Sequence, residues 1–243
     1  MPFLSVVIPA HNEARRLPGT MEQLLPFLAA QPYEAEIIIV ENGSSDDTLA
    51  LAQEYQRAHP DVVRVFHEPA RGKGLAVRRG MLEARGDYRF LCDADLSMPV
   101  EELPRFLPPQ LSDFDIAIAS RELPGSRRIG EPRYRHMVGR VFNWMVRLMA
   151  LPGFQDTQCG FKCFRAAVAE DVFRYQTLPG MSFDVEVLFI ARRRGYRIVE
   201  VPITWYFDPD SRVRLVQDSL RMGIDLLTIR WNAWRGRYDP TEA

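Results

Sequence analysis

Short apolar runs alternate with amphipathic segments along the first half of the chain. Runs that are apolar at every position indicate strands buried on both faces, as in a parallel sheet covered by helices. We predict strands at 4–8, 36–40, 62–66, 88–92 and 115–120. Helices are expected between them, at 14–30, 47–58, 71–84 and 101–106. This alternation predicts an α/β fold with a right-handed, mostly parallel, doubly wound sheet.

The rhythm changes after Ser120. Residues 121–147 carry seven arginines against two glutamates, which suits either an anionic substrate or a solvated helix face. Farther on we expect a strand at 158–164, helices at 165–175 and 182–194, a strand at 198–205 interrupted by Pro202, and a helix at 215–234. Apolar residues recur at helical spacing in that last helix, which is therefore amphipathic. The whole chain, 1–243, is expected to form one domain.

Composition narrows the functional class. The formal net charge of the 243 residues is −1, so there is no general attraction to nucleic acid. The chain has no run of about 18 apolar residues and no basic leader, so we expect neither a membrane-spanning helix nor a signal peptide. The cysteines, Cys92, Cys159 and Cys163, fit reduced thiols and a cytoplasmic location. Only two of the 31 basic residues are lysines, Lys73 and Lys162.

Four predicted strand ends carry polar clusters, at 10–13, 41–44, 71–74 and 93–95. In a doubly wound sheet such ends meet at one edge, which is where ligands bind. Asp93 and Asp95 follow the central strand, and buried carboxylates are costly unless they are paired or bind a cation. Oxygen ligands suit Mg²⁺ or Mn²⁺, whose shell is usually completed by substrate phosphates. Alone, the acidic pair fits a solvated turn equally well, but four clusters on one edge favour a binding site.

Nucleotide binding is indicated by Gly72-Lys73-Gly74, where glycines let the backbone approach a ligand closely. The spacing of a Walker A loop is absent, which argues against ATP hydrolysis. Longer motifs extend this indication: Val-Val-Ile-Pro-Ala-His-Asn-Glu (6–13), Val-Glu-Asn-Gly-Ser-Ser-Asp-Asp-Thr (40–48), Gly-Lys-Gly-Leu-Ala-Val-Arg-Arg-Gly (72–80) and Asp-Ala-Asp-Leu-Ser (93–97). In this order they resemble the family 2 glycosyltransferases.

Three downstream motifs resemble the branch of that family that makes polyprenyl-phosphate sugars. They are Asp-Thr-Gln-Cys-Gly-Phe-Lys (156–162), Phe-Asp-Val-Glu (183–186) and Glu-Val-Pro-Ile-Thr-Trp (200–205). The branch includes the dolichyl-phosphate glucosyltransferases and the dolichyl-phosphate mannose synthases. The resemblance covers residues 3–235 and implies an inverting enzyme with the GT-A nucleotide-diphospho-sugar transferase fold.

The resemblance assigns residues 1–120 to the nucleotide-sugar half and residues 121–243 to the acceptor-side half with its C-terminal amphipathic helix. It implies that the donor is held at the strand ends, by Pro9, Ala10, Glu13, Glu41, Gly43, Ser44, Lys73, Asp93, Ala94, Asp95 and Arg121. Pro9, Glu13, Glu41 and Ser44 would contact the nucleoside. Lys73 would hold base or phosphate.

Within this donor set, Asp93 and Asp95 would bind Mg²⁺ or Mn²⁺ together with the diphosphate, and Arg121 would face phosphate. Two positions depart from the family pattern. Glu41-Asn42 stands in place of the usual Asp-Asp pair, and Ser97 stands where mannose synthases have a glutamine that binds the metal.

Acceptor binding is assigned to basic residues of the second half. The candidates for an acceptor phosphate are Arg133, Arg135, Lys162 and Arg212. Asp95, Asp156 and Arg121 are the expected catalytic residues. Asp156 either orients the acceptor and acts as a base or caps a nearby turn, and the sequence leaves both roles open.

The leading hypothesis is a metal-dependent inverting transfer of a hexose from UDP-glucose or GDP-mannose to a polyprenyl or dolichyl phosphate. The alternatives are a soluble or glycan acceptor, and a nucleotide-binding module that has lost catalysis. Residues 226–237 combine tryptophan with arginine, which suits peripheral binding to an anionic membrane surface at the inner face of the cell membrane. Packing of those tryptophans in the core is the alternative.

Overall fold

The centre of the molecule is a seven-stranded β-sheet. The computed structural model describes residues 1–209 and 215–240, except for the side chains of 215–220. In chain order the elements are β1 (Leu4–Ala10), α1 (Leu17–Ala29), β2 (Ala35–Asn42), α2 (Thr48–Ala58), β3 (Val63–Glu68), α3 (Lys73–Glu83), β4 (Tyr88–Leu91), a 3₁₀ helix (Val100–Phe106), β5 (Ile116–Ser120), β6 (Arg127–Ile129), α4 (Arg133–Met149), β7 (Lys162–Arg165), α5 (Ala166–Arg174), α6 (Phe183–Arg193), β8 (Ile198–Pro202), β9 (Thr204–Tyr206) and α7 (Leu215–Trp234).

The strands of the large sheet lie in the order β3-β2-β1-β4-β7-β5-β8. Strands β1 to β4 are all parallel, and β8 is parallel to β5. Only β7 runs against its two neighbours, β4 and β5. The predicted α/β fold with a mostly parallel, doubly wound sheet is therefore confirmed. The carboxyl ends of β1, β2 and β4 lie side by side, as the sequence predicted for the polar clusters.

Side chains on the two faces of the sheet belong to two separate core clusters. In β2, Ile37 and Ile39 enter one cluster while Ile38 and Val40 enter the other. Because successive side chains of a strand point to opposite faces, a strand covered on both sides must be apolar throughout. Helix α1 and the 3₁₀ helix cover one face, and α3 to α7 cover the other. Each fully buried isoleucine of this kind contributes roughly 1.5–3 kcal/mol to folding.

The segment after Ser120 contains a strand that the sequence analysis did not predict. This strand, β6, pairs in parallel with β9 and places Arg128 opposite Trp205 in a two-stranded sheet of their own. The predicted interruption at Pro202 is confirmed, since that residue ends β8 in the large sheet and β9 begins in the small one.

The strand predicted at 158–164 is shorter than expected and begins at Lys162. The residues before it pass close beneath the end of β4. A Cβ atom on Gly160 would lie 1.8 Å from Oδ2 of Asp93, so the loop depends on glycine at this position.

The predicted last helix is present as α7, and its outer face is apolar as well as its buried face. Met222, Leu226 and Ile229 are buried, whereas Trp231 and Trp234 are 55% and 77% exposed. The alternative prediction, that these two tryptophans pack in the core, is therefore wrong. Within residues 1–209 and 215–240, no helix combines the length and apolar character needed to cross a bilayer.

Candidate active site

Two cavities open at the carboxyl edge of the large sheet. The first, here called the strand-end cavity, has a volume of about 420 Å³ and is lined by the ends of β1, β2 and β4 and the start of α3, with side chains that include Glu13, Arg16, Asn42, Arg71, Lys73, Asp93 and Asp95. The second, the arginine cavity, has a volume of about 220 Å³ and is lined by Arg121, Arg128, Arg135, Asn143, Asp156, Asp184 and Trp205, among others. Asp95 and Met181 line both cavities, so the two spaces meet there.

The wall of the strand-end cavity is held by hydrogen bonds between loops. Nδ1–H of His11 donates to the carbonyl oxygen of Asn42 at 2.6 Å, and Nη2 of Arg71 donates to Nε2 of His11 at 2.9 Å. Both contacts are satisfied by the neutral, Nδ1-protonated imidazole. The side-chain oxygen of Asn42 accepts from the backbone N–H of Gly72 at 2.8 Å. These bonds tie the glycine loop before α3 to the end of β2.

Glu41 lies behind this wall. Its carboxylate is 1% exposed and accepts hydrogen bonds of 2.5 Å from the backbone N–H of Ser44 and from Nδ1 of His67. Burial alone would raise the pKa of Glu41, but the bonds from Ser44 and His67 lower it below its usual value. In this structure the Glu41 oxygens support the turn at Gly43, and its contact with a nucleoside stays a prediction. Pro9, Ala10 and Glu13 do line the cavity.

Asp93 and Asp95 lie at the end of β4, with Lys73 against the first of them. The ammonium group of Lys73 is 2.6 Å from Oδ1 of Asp93, and Oδ1 of Asp95 accepts from the backbone N–H of Ser97 at 3.0 Å. Burial alone would lower the pKa of Lys73, but Asp93 and then Asp184 raise it above its usual value. Burial, and then the charge of Asp93, raise the pKa of Asp95. The site thus holds two carboxylates and one cation, with Asp95 exposed and with Asp93 and Lys73 partly buried.

The carboxylate oxygens of Asp93 and Asp95 suit a divalent cation whose coordination shell is completed by other ligands. Among the side chains that the structure describes, no three His, Cys, Asp or Glu residues come together as a metal site. Two carboxylates would leave most positions around Mg²⁺ or Mn²⁺ for phosphate oxygens or water, which is the usual arrangement when such ions act on nucleotides. In this structure the ammonium group of Lys73 provides the positive charge beside Asp93.

The arginine cavity is organised by a buried ion pair. Nε and Nη2 of Arg121 donate to the two carboxylate oxygens of Asp156 at 2.6 and 3.0 Å, and the backbone N–H of Arg121 adds a third bond. Burial alone would raise the pKa of Asp156, but Arg121 holds it at about 2. Asp156 is therefore ionised at neutral pH, and both of its oxygens are engaged.

Trp205 supports the same cavity from the small sheet. The guanidinium carbons of Arg121 and Arg128 lie 5.3 and 5.8 Å from the centre of its ring. In the described part of the chain, two buried polar atoms of this cavity, Oδ1 of Asn143 and Oγ1 of Thr157, have no hydrogen-bond partner. Unpartnered buried polar atoms are rare and costly in folded proteins.

Four residues were predicted to bind an acceptor phosphate, and the structure places them differently. Arg135 lines the arginine cavity, and Arg133 is exposed at the first position of α4. Lys162 is 1% exposed and donates to Oδ1 of Asp184 and the carbonyl oxygen of Cys159, both at 2.6 Å. In this structure Lys162 supports Asp184 from below, and its contact with an acceptor phosphate stays a prediction. Arg212 lies outside the described residues.

Several cavity residues were not assigned from sequence. His11, Asn42 and Arg71 stand inside the polar clusters, but nothing in their spacing distinguished wall residues from binding residues. Asp184 and Trp205 stand inside motifs of the second half, and only the packing of β7, α6 and β9 brings them to the arginine cavity.

The chain matches the family model described as glycosyl transferase family 2 over residues 5–173. It is 35% identical to a dolichyl-phosphate beta-glucosyltransferase of Drosophila melanogaster, an alignment that covers 96% of this chain and 77% of that protein. It is 33% identical to the protein of that name from Saccharomyces cerevisiae, over 97% of this chain and 76% of that protein. It is also 33% identical to the protein of that name from Homo sapiens, over 96% of this chain and 77% of that protein.

Solved structures show the same fold at lower sequence identity. A mannosyl-3-phosphoglycerate synthase from Rubrobacter xylanophilus superposes on the whole chain and 77% of its own, with a TM-score of 0.71 at 19% identity. A glucosyl-3-phosphoglycerate synthase from Mycobacterium tuberculosis, crystallised with Mn²⁺, UDP and glucosyl-3-phosphoglycerate, covers 100% of this chain and 82% of its own, with a TM-score of 0.66 at 18% identity. The chain belongs to glycosyltransferase family 2, has the GT-A fold and is a glycosyltransferase.

Proposed function

We propose that the enzyme transfers glucose from UDP-glucose to a polyprenyl phosphate of the dolichyl type, with inversion at the anomeric carbon and with Mg²⁺ or Mn²⁺. The observation that carries the proposal is the meeting of two cavities at Asp95. A transferase needs two substrates whose reacting atoms come together at one point, and the two spaces provide that geometry. The relatives named as dolichyl-phosphate glucosyltransferases support the choice of sugar and acceptor.

The strand-end cavity is the proposed donor site. Pro9, Ala10 and Glu13 form the side where the nucleoside would lie, and Lys73 stands near the diphosphate. A divalent cation held by Asp93 and Asp95 would supply positive charge to the departing UDP. Lys73 contributes a second positive charge, and its raised pKa keeps the ammonium group protonated at neutral pH.

The arginine cavity is the proposed site of the acceptor phosphate. Arg135 reaches it from α4, and Arg121 is held in one orientation by Asp156 and Trp205. Arg128 of β6 lies beside them and is paired with Glu122 and Glu131. A lipid phosphate is already an anion, so its oxygen can attack the anomeric carbon without a general base. That bond forms as the bond between the anomeric carbon and the UDP oxygen breaks, and UDP leaves with the electron pair. In this account Asp156 positions Arg121 and takes no proton.

The proposal places the protein where nucleotide-sugars and lipid phosphates are both accessible, which is the cytoplasmic face of a membrane. A transfer assay tests the chemistry. Purified protein is incubated with radiolabelled UDP-glucose or GDP-mannose, a short water-soluble polyprenyl phosphate and Mn²⁺, and the products are separated by solvent extraction and charge.

We expect a labelled lipid phosphate from UDP-glucose, lost on chelation of the metal and in the Asp95→Asn variant. The Glu54→Gln variant, altered on the exposed surface of α2, is the matched control and should retain activity. Label that appears only in a product without the prenyl group would reject the lipid acceptor. Absence of any transfer with either donor would reject the enzyme proposed here.

A further inference from the structure

Helix α4 exposes a continuous apolar stripe. Tyr134, Met137, Val141, Trp144 and Leu148 are each more than 60% exposed, and their spacing of three and four residues places them along one side of the helix. On the other side of α4, Phe142 and Val146 are buried in the core. The exposed stripe is therefore in excess of what the fold needs, and burying it requires something outside this chain's own core.

Helix α7 carries a second stripe of the same kind. Ile224, Leu227, Trp231 and Trp234 are each more than half exposed and repeat at the same spacing. The two helices pack against each other, since Met222, Leu226 and Ile229 share a core cluster with Phe142 and Val146 of α4. We call the two stripes together the α4–α7 surface. Three of the four tryptophans in the chain lie on it.

Among the described side chains of α4 and α7, the exposed charges are positive. Arg133, Arg140 and Arg147 are exposed at seven-residue intervals along α4, and residues 133–149 contain no acidic residue. On α7, Arg221 and Arg230 are exposed, and the one acid of residues 221–234, Asp225, accepts a hydrogen bond from Ser182. An apolar face rich in tryptophan and bordered by arginine is the pattern of helices that lie in the interface of an anionic bilayer.

We infer that the α4–α7 surface docks on the headgroup region of a bilayer that contains anionic lipids. The inference deepens the proposed function, on which it rests for the lipid acceptor. The inner side of α4 supplies Arg135, Val138 and Phe142 to the arginine cavity, so docking by its outer side would bring the acceptor cavity to the membrane. The strand-end cavity is lined by none of the described residues of α4 or α7 and would stay open to water.

A second copy of the chain fits this surface less well. Side chains spaced by three and four residues also suit a helix partner, but a two-fold pairing through α4 would bring one arginine row against the other. No acidic side chain of α4 is available to compensate that repulsion. Phosphate headgroups provide the opposite charge without such a requirement.

Vesicle co-sedimentation tests the inference in the absence of any substrate. Full-length protein is mixed with phosphatidylcholine vesicles with or without about one third phosphatidylglycerol, and tryptophan quenching by brominated lipid is read in parallel. We expect binding to the anionic vesicles that weakens with salt, and quenching because Trp144, Trp231 and Trp234 enter the interface. The M137S/W144S/W231S/W234S variant should bind at least about 100-fold more weakly, and R140Q/R147Q about tenfold more weakly.

Matched controls change exposed apolar and basic residues on other helices. Leu82→Ser alters an exposed leucine of α3, and R57Q/R174Q removes two exposed charges of α2 and α5; both should bind like the wild type. Wild-type protein that stays in the supernatant with unquenched tryptophans would overturn the inference. So would a wild-type dimer that the serine variant converts to monomers, because the surface would then be an interface between copies. Transfer to the short soluble acceptor needs no vesicle, so a failure of docking and a failure of the proposed chemistry are distinguishable.

Discussion

The strand-end cavity and the arginine cavity share Asp95 but are built by different means. Around the strand-end cavity, parallel strand ends bring the residues together. Hydrogen bonds between side chains and backbone hold the short loops, as in the bonds between His11, Asn42 and Gly72. Around the arginine cavity, distant segments are joined by buried charge: Arg121 to Asp156 and Lys162 to Asp184. Loss of a buried partner leaves an uncompensated charge, whereas loss of a loop contact costs much less.

The two cavities should therefore differ in how strongly activity depends on the stability of the fold. Residues of the strand-end cavity owe their position mainly to the pairing of the strands that carry them. Residues of the arginine cavity hold the fold and the site at once. Substitutions in the strand-end cavity should therefore change activity with little effect on stability. Substitutions in the arginine cavity should change both activity and stability.

The largest expected effect is on the shared residue. We expect Asp95→Ala to reduce glucose transfer by at least about 1000-fold, equivalent to about 4 kcal/mol, because the leaving diphosphate loses a bound cation. The free energy of unfolding should change little, and this is checked by urea denaturation beside the kinetic assay. Stabilisation of the protein by UDP with Mn²⁺ in a thermal shift assay should also disappear. Transfer within tenfold of the wild type would refute the role of Asp95.

Asp156→Asn should destabilise the fold by about 3 kcal/mol, because the partly buried guanidinium of Arg121 loses its counter-ion. The pH dependence sharpens this prediction. The pKa of Asp156 lies at about 2 in the folded protein and near 3.9 when unfolded, so its contribution is complete above about pH 4 and is lost as the pH falls toward 2. Urea denaturation across this range should show a smaller decline in the variant.

The double variant R121M/D156L provides the control for this ion pair. It should recover most of the lost stability, since apolar side chains of similar size replace a buried pair without leaving a charge. Transfer activity should stay low because the arginine cavity no longer contains Arg121. Recovery of both properties would show that the pair serves folding alone.

Gly160→Ala places a methyl group against Asp93 and should cost about 1–3 kcal/mol in stability while weakening Mn²⁺ binding about tenfold. The reason is the 1.8 Å distance from the added carbon to Oδ2 of Asp93. Calorimetric titration with Mn²⁺ measures the affinity. Gly180→Ala, where an added carbon has no neighbour within 4 Å, is the matched control. Unchanged Mn²⁺ affinity in Gly160→Ala would argue against Asp93 as a ligand.

The smallest expected effect has the opposite sign. Lys73→Met should raise the affinity for Mn²⁺ alone by about three- to tenfold, because the ammonium group no longer competes for Asp93. The same variant should bind UDP more weakly, since one positive charge near the diphosphate is gone. Arg71→Met removes a cation of the same cavity that contacts His11, and its affinity for Mn²⁺ alone should match the wild type. Weaker Mn²⁺ binding in Lys73→Met would contradict this arrangement.

Much of the strand-end cavity follows from the sequence, and less of the arginine cavity does. Apolar runs ending in Asp93, Glu13 or Asn42 place those residues at one edge, because parallel strands that alternate with helices leave few other topologies. The side-chain directions were less accessible: Glu41 turns inward, since the backbone N–H of Ser44 and the ring of His67 are nearer than the cavity. Lys162 is buried because β7 lies between β4 and β5, a pairing that no local pattern indicates.

The most direct test of the account is a crystal structure of the enzyme with UDP-glucose and Mn²⁺. We expect the nucleoside beside Pro9 and Glu13, the cation between Asp93, Asp95 and the diphosphate, and the glucose at the junction with the arginine cavity. Nucleotide bound in the arginine cavity, or bound in the strand-end cavity with no cation on Asp93 or Asp95, would contradict it.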